Sequence, residues 1–229
     1  MGSRLHTGAT RLGAIESLIN QINRLLFVDE GFKGNNQEYY DPRNSFLNDV
    51  IGRKLGIPIT LSLVYLAVAE GAGLRLFGVG MPTHFIVKYQ ADGWEVFIDP
   101  FHDGAILTRE LCELRVSNVI GMPVTLSRDQ LAPSAHDQVV LRLLGNLKGI
   151  YTKLEDSVRG LRVQERICAL NKLDPHEVRD LGVLYLKNDR PARAIEVFEN
   201  YLKMKPKADD FEDIESMIRG AKRIQISMN

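Results

Sequence analysis

Apolar positions recur at helical spacing near the start of the chain. Leu12, Ile15, Leu18, Ile19, Ile22, Leu25 and Leu26 form one stripe and predict a helix over Leu12 to Phe27. The run Gly31 to Asp41, GFKGNNQEYYD, interrupts it. Asn44 is placed to cap a second helix reaching about Leu55, with Phe46, Leu47, Val50 and Ile51 turned inward. Gly56-Ile57-Pro58 then opens a third helix, because proline suits a first helical position, where its missing N–H has no intrahelical partner. From Ile59 to Ala69 the sequence ITLSLVYLAVA is apolar on nearly every side, which predicts the buried central helix of its domain. Gly71 and Gly73 end it.

The period then changes from 3.6 to 2. Leu74 to Gly80 reads as a strand, and Thr83 to Pro100, THFIVKYQADGWEVFIDP, reads as a β-hairpin around Gln90-Ala91-Asp92-Gly93. With Gln90 facing Gly93, Lys88 opposes Glu95, Phe85 opposes Ile98 and His84 opposes Asp99, the opposite-charge and apolar pairing that a sheet favours. With Asp92-Gly93 as a two-residue turn, the register slips by two. His84 and Asp99 then sit diagonally, still on one face. A histidine beside an aspartate on adjacent strands is half of a nucleophilic catalytic site. Beyond Pro100 the sequence predicts a turn, a short helix over Thr108 to Leu114, and another where Ser127 and Gln130 have capping-box spacing.

From about Gln138 the pattern is helical with charged faces, and it repeats. Leu147, Ile150 and Tyr151 recur 34 residues later as Leu181, Leu184 and Tyr185. That is the period of the tetratricopeptide (TPR) repeat. The second copy continues through Ala194, Phe198, Tyr201 and Pro206 at the small, aromatic and proline positions of the motif. Two repeats bury too little core alone, so they are expected to pack on the first domain or on a final helix over Phe211 to Ile224. The predicted organisation is α+β: residues 11–130 with the central helix against an antiparallel sheet, then residues 136–225 as all-α TPR-type helices.

Composition narrows the function classes. The 29 basic residues balance the 29 acidic ones, which gives no argument for nucleic acid or an anionic membrane as a partner. The two cysteines, Cys112 and Cys168, lie in apolar helix-like stretches and read as buried free thiols of a reducing compartment. No apolar run reaches the roughly 18 residues of a membrane span, and the start of the chain lacks a signal peptide's apolar segment. A cytoplasmic protein is expected.

A buried helix followed by a strand and a His/Asp hairpin resembles the transglutaminase-like fold of the papain class. The chain more closely resembles SirB-type bacterial proteins, which join such a core to C-terminal TPR helices. The blocks that carry the resemblance are Tyr40-Asp41-Pro42-Arg43-Asn44-Ser45-Phe46-Leu47, Gly56-Ile57-Pro58-Ile59-Thr60-Leu61-Ser62, Gly78-Val79-Gly80-Met81-Pro82-Thr83-His84-Phe85, Ile98-Asp99-Pro100-Phe101 and Arg179-Asp180-Leu181-Gly182. The resemblance implies a counterpart of the transglutaminase base at His84 and of its orienting acid at Asp99. It also implies a nucleophilic cysteine at the start of the central helix, and there this sequence has Pro58.

Neither cysteine replaces the missing sulfur by sequence position. The hydroxyls of Thr60 and Ser62 remain as nucleophile candidates, to be served by His84. Mid-helix hydroxyls more often bond the preceding backbone turn. The favoured reading is a pseudoenzyme: a non-catalytic transglutaminase-like protein that binds a protein or peptide partner through the former active-site cleft or its TPR helices. The alternatives are an amidohydrolase or peptidase using Thr60 or Ser62 with His84 and Asp99, and a purely structural scaffold. His102 and Asp103 follow the acid closely enough to join His84 around a metal. The five histidines, however, show no metal-ligand spacing, so no metal and no cofactor is expected. Arg43 and Asn44 are expected to cap a helix rather than serve the pocket.

Overall fold

The computed structural model describes residues 2–91 and 93–227, with side chains described from residue 13 onward. The chain forms two compact units, Met1–Val139 and Val140–Asn229.

In the first unit, α1 (Gly2–Asn23) runs into a π-helical turn over Arg24–Asp29. Two elements too short to leave a periodic signal follow. These are β1 (Lys33–Gly34) and β2 (Leu55–Gly56), which pair in parallel. Between them lie a 3-10 turn, Pro42–Ser45, and α2 (Leu47–Arg53). The expectation that Asn44 caps this helix with four apolar residues inward is corrected. Phe46 takes the cap position, and only Val50 is buried, while Phe46, Leu47 and Ile51 are exposed. With an exposed apolar surface on α2, Val50 alone anchors it.

Helix α3 (Pro58–Gly71) begins at its proline as predicted, with Ile57 as cap. Its first turns are wholly buried. The antiparallel sheet has the order β3 (Phe77–Met81), β4 (His84–Ala91), β5 (Trp94–Asp99), β6 (Ala105–Leu107). In the hairpin Ala91 pairs with Trp94 and Val87 with Ile98, which is the two-residue-turn register. The pairs Lys88 with Glu95 and His84 with Asp99 are therefore diagonal, not opposite. Asp92 itself lies outside the described residues. The Lys88 ammonium still reaches Glu95, at 2.8 Å, because a long side chain spans a diagonal.

Both sheet faces are covered. Val87, Tyr89 and Ile98 join Leu61 and Tyr65 of α3 and Ile19, Ile22 and Leu26 from the first helical segment in one core. Val79, Met81, Ile86, Phe97 and Leu107 point the other way. They pack on Cys112 and Val116 of α4 (Arg109–Ile120) and on Leu126 and Leu131. Thr108 caps α4, which is longer than the sequence predicts. Ser127 and Gln130 do form a reciprocal capping box, on a 3-10 turn over Asp129–Leu131.

The second unit is helical. It comprises α5 (His136–Lys153, which straddles the boundary between units), α6 (Ser157–Leu170), α7 (Pro175–Lys187), α8 (Pro191–Met204) and α9 (Phe211–Ser227). Helices α6, α7 and α8 each pack on the next in the chain. Gly182 of α7 lies so close to Phe198 of α8 that a β-carbon there would meet the ring at 2.5 Å. Ala194, Phe198 and Tyr201, at the small and aromatic positions of the repeat, are buried, and Ile214 and Ile218 of α9 complete their core.

Candidate functional site

The two-residue turn at Pro82-Thr83 starts β4, and Met81 pairs with His84 across it. In the hairpin register Lys88 opposes Phe97, so His84, Ile86 and Lys88 share a face with Phe97 and Asp99. This is the face covered by α4, not the one covered by α3. His84 Nε2 lies 2.9 Å from Asp99 Oδ2, and Asp99 is fully buried. The structure thus brings the predicted pair together.

It adds two residues that the sequence reading did not attach to Asp99. Asp99 caps a 3-10 turn over Pro100–His102, and its Oδ1 accepts from the Phe101 N–H at 3.1 Å. Side chains three apart eclipse in such a turn. His102 Nδ1 accordingly sits 2.9 Å from the same Oδ2. That Asp-Pro-Phe-His spacing was the available signal. From α4, Arg115 Nε approaches Oδ2 to 3.0 Å. The approach is an ion pair only, since that buried nitrogen has no hydrogen-bond acceptor. No local pattern announces Arg115, because it lies 16 residues beyond the acid on another element.

Burial alone would push the Asp99 carboxyl up. The hydrogen bonds from His102 and His84 outweigh it and hold the group well below the usual carboxylate range. The two imidazoles and Phe101 make a tight cluster. The His84 ring is 6.2 Å from that of Phe101 and 5.7 Å from that of His102. Tyr39 packs edge-on against Phe101 at 6.1 Å. Asp103, expected beside His102, is exposed and stands in the left-handed region, at φ +53°.

The candidate hydroxyls are placed as follows. Thr60 Oγ1 accepts from the Ile57 N–H at 3.1 Å and donates to the Asn44 carbonyl at 2.8 Å or the Ile57 carbonyl at 3.1 Å. Ser62 Oγ donates to the Phe85 carbonyl on β4 at 3.4 Å. Asn44, fully buried, uses its amide to bind the carbonyls of Glu38 and Tyr39 and accepts from Asn35. It therefore ties the Tyr39-Tyr40 loop to the start of α3 rather than capping α2. Arg43 pairs with Asp41 at 2.7 Å.

Both cysteines are free. Cys112 is fully buried, and burial together with the nearby Asp99 charge pushes its thiol up to about 12. Cys168 is only half-buried, against expectation. Burial is also the main cause there, raising the thiol to about 11. Neither is a thiolate at neutral pH. A cleft of about 830 Å³ opens toward the hairpin tip, lined by Lys88, Glu95, Arg109 and Arg128. In the second unit a cleft of about 640 Å³ is lined by Lys148, Tyr151, Asp156, Asp180 and Lys187.

This architecture has relatives. The family model described as the transglutaminase-like superfamily matches residues 3–145, well over half of the chain. The chain belongs to that superfamily. A tetratricopeptide-repeat model matches residues 147–219. The UPF0162 protein of Xylella fastidiosa strain Temecula1 is 35% identical over 202 residues, covering 87% of this chain and 70% of that protein. The UPF0162 protein YchA of Escherichia coli K12 is 26% identical over 211 residues, 92% of this chain and 77% of its own length. Within the superfamily the chain is thus of the SirB-type, UPF0162 kind, a transglutaminase-like core followed by TPR repeats. The mouse F-box only protein 21 is also similar, 34% identical over 138 residues, covering 57% of this chain and 21% of that protein. No described helix is long and apolar enough to cross a membrane.

Proposed function

We propose that this transglutaminase-like protein is non-catalytic and acts as a protein-interaction module, through the surface around the Asp99 cluster, the TPR helices, or both. One observation carries the reading. At the start of α3, where the superfamily's fold offers a nucleophile, the chain has Pro58, and the Thr60 hydroxyl next to it is spent on the backbone of Ile57 and Asn44. A hydroxyl committed to a donor and an acceptor in a buried helix start is a structural group. Asp99 is equally committed, gathering His84, His102, Arg115 and the Phe101 N–H around one carboxylate. The arrangement braces the sheet against α4 and leaves the His102 ring, 43% exposed, at the surface. The TPR cleft is lined by Lys148, Asp156, Asp180 and Lys187; Lys148 is paired there with Glu177 and Asp180, and Asp156 with Arg159, so a charged peptide would bind by exchanging with these pairs.

The test has two arms on the full chain. A serine-directed fluorophosphonate is incubated with wild type and with His84→Ala, and no labelling of either is expected. Site-specific photo-crosslinking from positions 102 and 187 in cells is then expected to trap a discrete protein. Labelling of wild type at Thr60 or Ser62 that disappears in His84→Ala overturns the proposal.

A further inference from the structure

We propose that His84, Asp99 and His102 form a binding site for a divalent transition metal of the zinc type. The site is independent of whether the protein also binds a partner. The three ligand atoms, His84 Nε2, Asp99 Oδ2 and His102 Nδ1, lie within 4.8 Å of one another. Both ring nitrogens aim at the same carboxylate oxygen from 2.9 Å. Tetrahedral coordination with bonds of about 2.0–2.2 Å sets donor atoms roughly 3.3 Å apart. The two nitrogen-to-oxygen distances therefore need to open by a few tenths of an ångström, and the two nitrogens to settle at the same spacing from each other, which rotation of the partly exposed His102 side chain adjusts.

The donor set selects the ion. Two imidazoles and one carboxylate suit zinc and its transition-metal neighbours, whereas magnesium and calcium prefer all-oxygen shells. The supporting shell is also present. The second carboxylate oxygen of Asp99 is held by the Phe101 N–H, which fixes the carboxylate plane as metal-site partners do. His84, at the start of β4, is buried edge-on against Phe101, while His102 is 43% exposed and leaves a path to solvent. Binding requires each carboxylate-facing ring nitrogen to be unprotonated, the neutral imidazole carrying its proton on the other nitrogen, so that the lone pair exposed in this way coordinates the ion.

Arg115 is the opposing charge. Its Nε sits 3.0 Å from Oδ2 without forming a hydrogen bond to it. Its side chain is 28% exposed. In the metal-free protein it supplies the positive charge that the ion brings when bound.

The test uses the full chain after chelator treatment. Zinc alone is titrated calorimetrically and cobalt(II) alone by visible absorption. One equivalent is expected to bind, with the intense absorption of four-coordinate cobalt. His102→Ala and His84→Ala should each weaken zinc binding by at least tenfold, and Asp103→Ala should leave it unchanged. Because His84→Ala risks misfolding, the wild type is also followed by NMR of its imidazole nitrogens, where His84 and His102 must shift together on zinc addition. Absence of saturable zinc binding at micromolar concentration overturns the proposal. So does binding retained in His102→Ala, or a response confined to His6, His136 and His176.

Discussion

The hydroxyl of Thr60 lies 2.8 Å from the carbonyl of Asn44, sixteen residues earlier in the chain. The same oxygen takes the Ile57 N–H. A side chain that the sequence offered as a nucleophile instead joins the Tyr39-Tyr40 loop to the start of α3.

Thr60→Val, nearly the same shape without the hydroxyl, would leave the Ile57 N–H and the Asn44 carbonyl buried and unpaired. We expect it to lower stability by about 1–3 kcal/mol. Thr60→Ser should retain most of that stability. Urea denaturation midpoints of the three proteins check this, and equal midpoints for Val and wild type would show that Thr60 is not a fastener.

Asp99 links stability to acid. Its folded-state carboxyl titrates below the ordinary value of about 3.9. Its contribution is therefore fully present above that value and lost as pH falls toward the folded one. The wild type should lose stability steeply below about pH 4, and Asp99→Asn should be less stable at neutral pH with a shallower acid slope. Denaturation midpoints from pH 3 to 7 measure both.

The two thiols should resist alkylation. Cys112, raised to about 12 by burial and by Asp99, and Cys168, raised to about 11, have almost no thiolate at neutral pH. Iodoacetamide should leave Cys112 unmodified in the native protein and modify both residues in denaturant, as intact mass will show. Rapid native labelling of Cys112 would contradict its placement between α4 and the sheet.

In the TPR unit, Gly182→Ala would drive a β-carbon into the Phe198 ring, which is itself fully buried and held by neighbours. Overpacking of this kind costs about 1–3 kcal/mol. A thermal melt should show the loss, and Gly182→Ala combined with Phe198→Leu should recover part of it, since the smaller side chain vacates the contact.

Much of the fold is legible in the sequence because long periodic segments bury whole faces. The apolar run after Pro58, the alternation from Thr83 to Pro100 and the 34-residue repeat each fix an element. The register is not legible, because one tetrapeptide, Gln90 to Gly93, fits two turn lengths with similar pairings. β1, β2 and β6 are too short to show a period, and α2 fails the amphipathic reading because its apolar residues face outward. At the site, His84 and Asp99 are readable because both registers leave them on one face. His102 reaches the acid through a 3-10 turn, a local geometry that strand periodicity does not encode. Arg115 arrives by packing alone.

The sheet is dressed unequally on its two sides. The α3 side is sealed by hydrocarbon and aromatic rings, whereas the α4 side encloses Lys88, Asp99 and His84 beside Arg115. Charged groups inside one layer make that layer the easier one for water to enter. Native-state hydrogen exchange should therefore find a sub-global opening in which α4 and β6 lose protection while α3, β4 and β5 keep it. The molecule would come apart like a book opened at one cover, with its spine still bound.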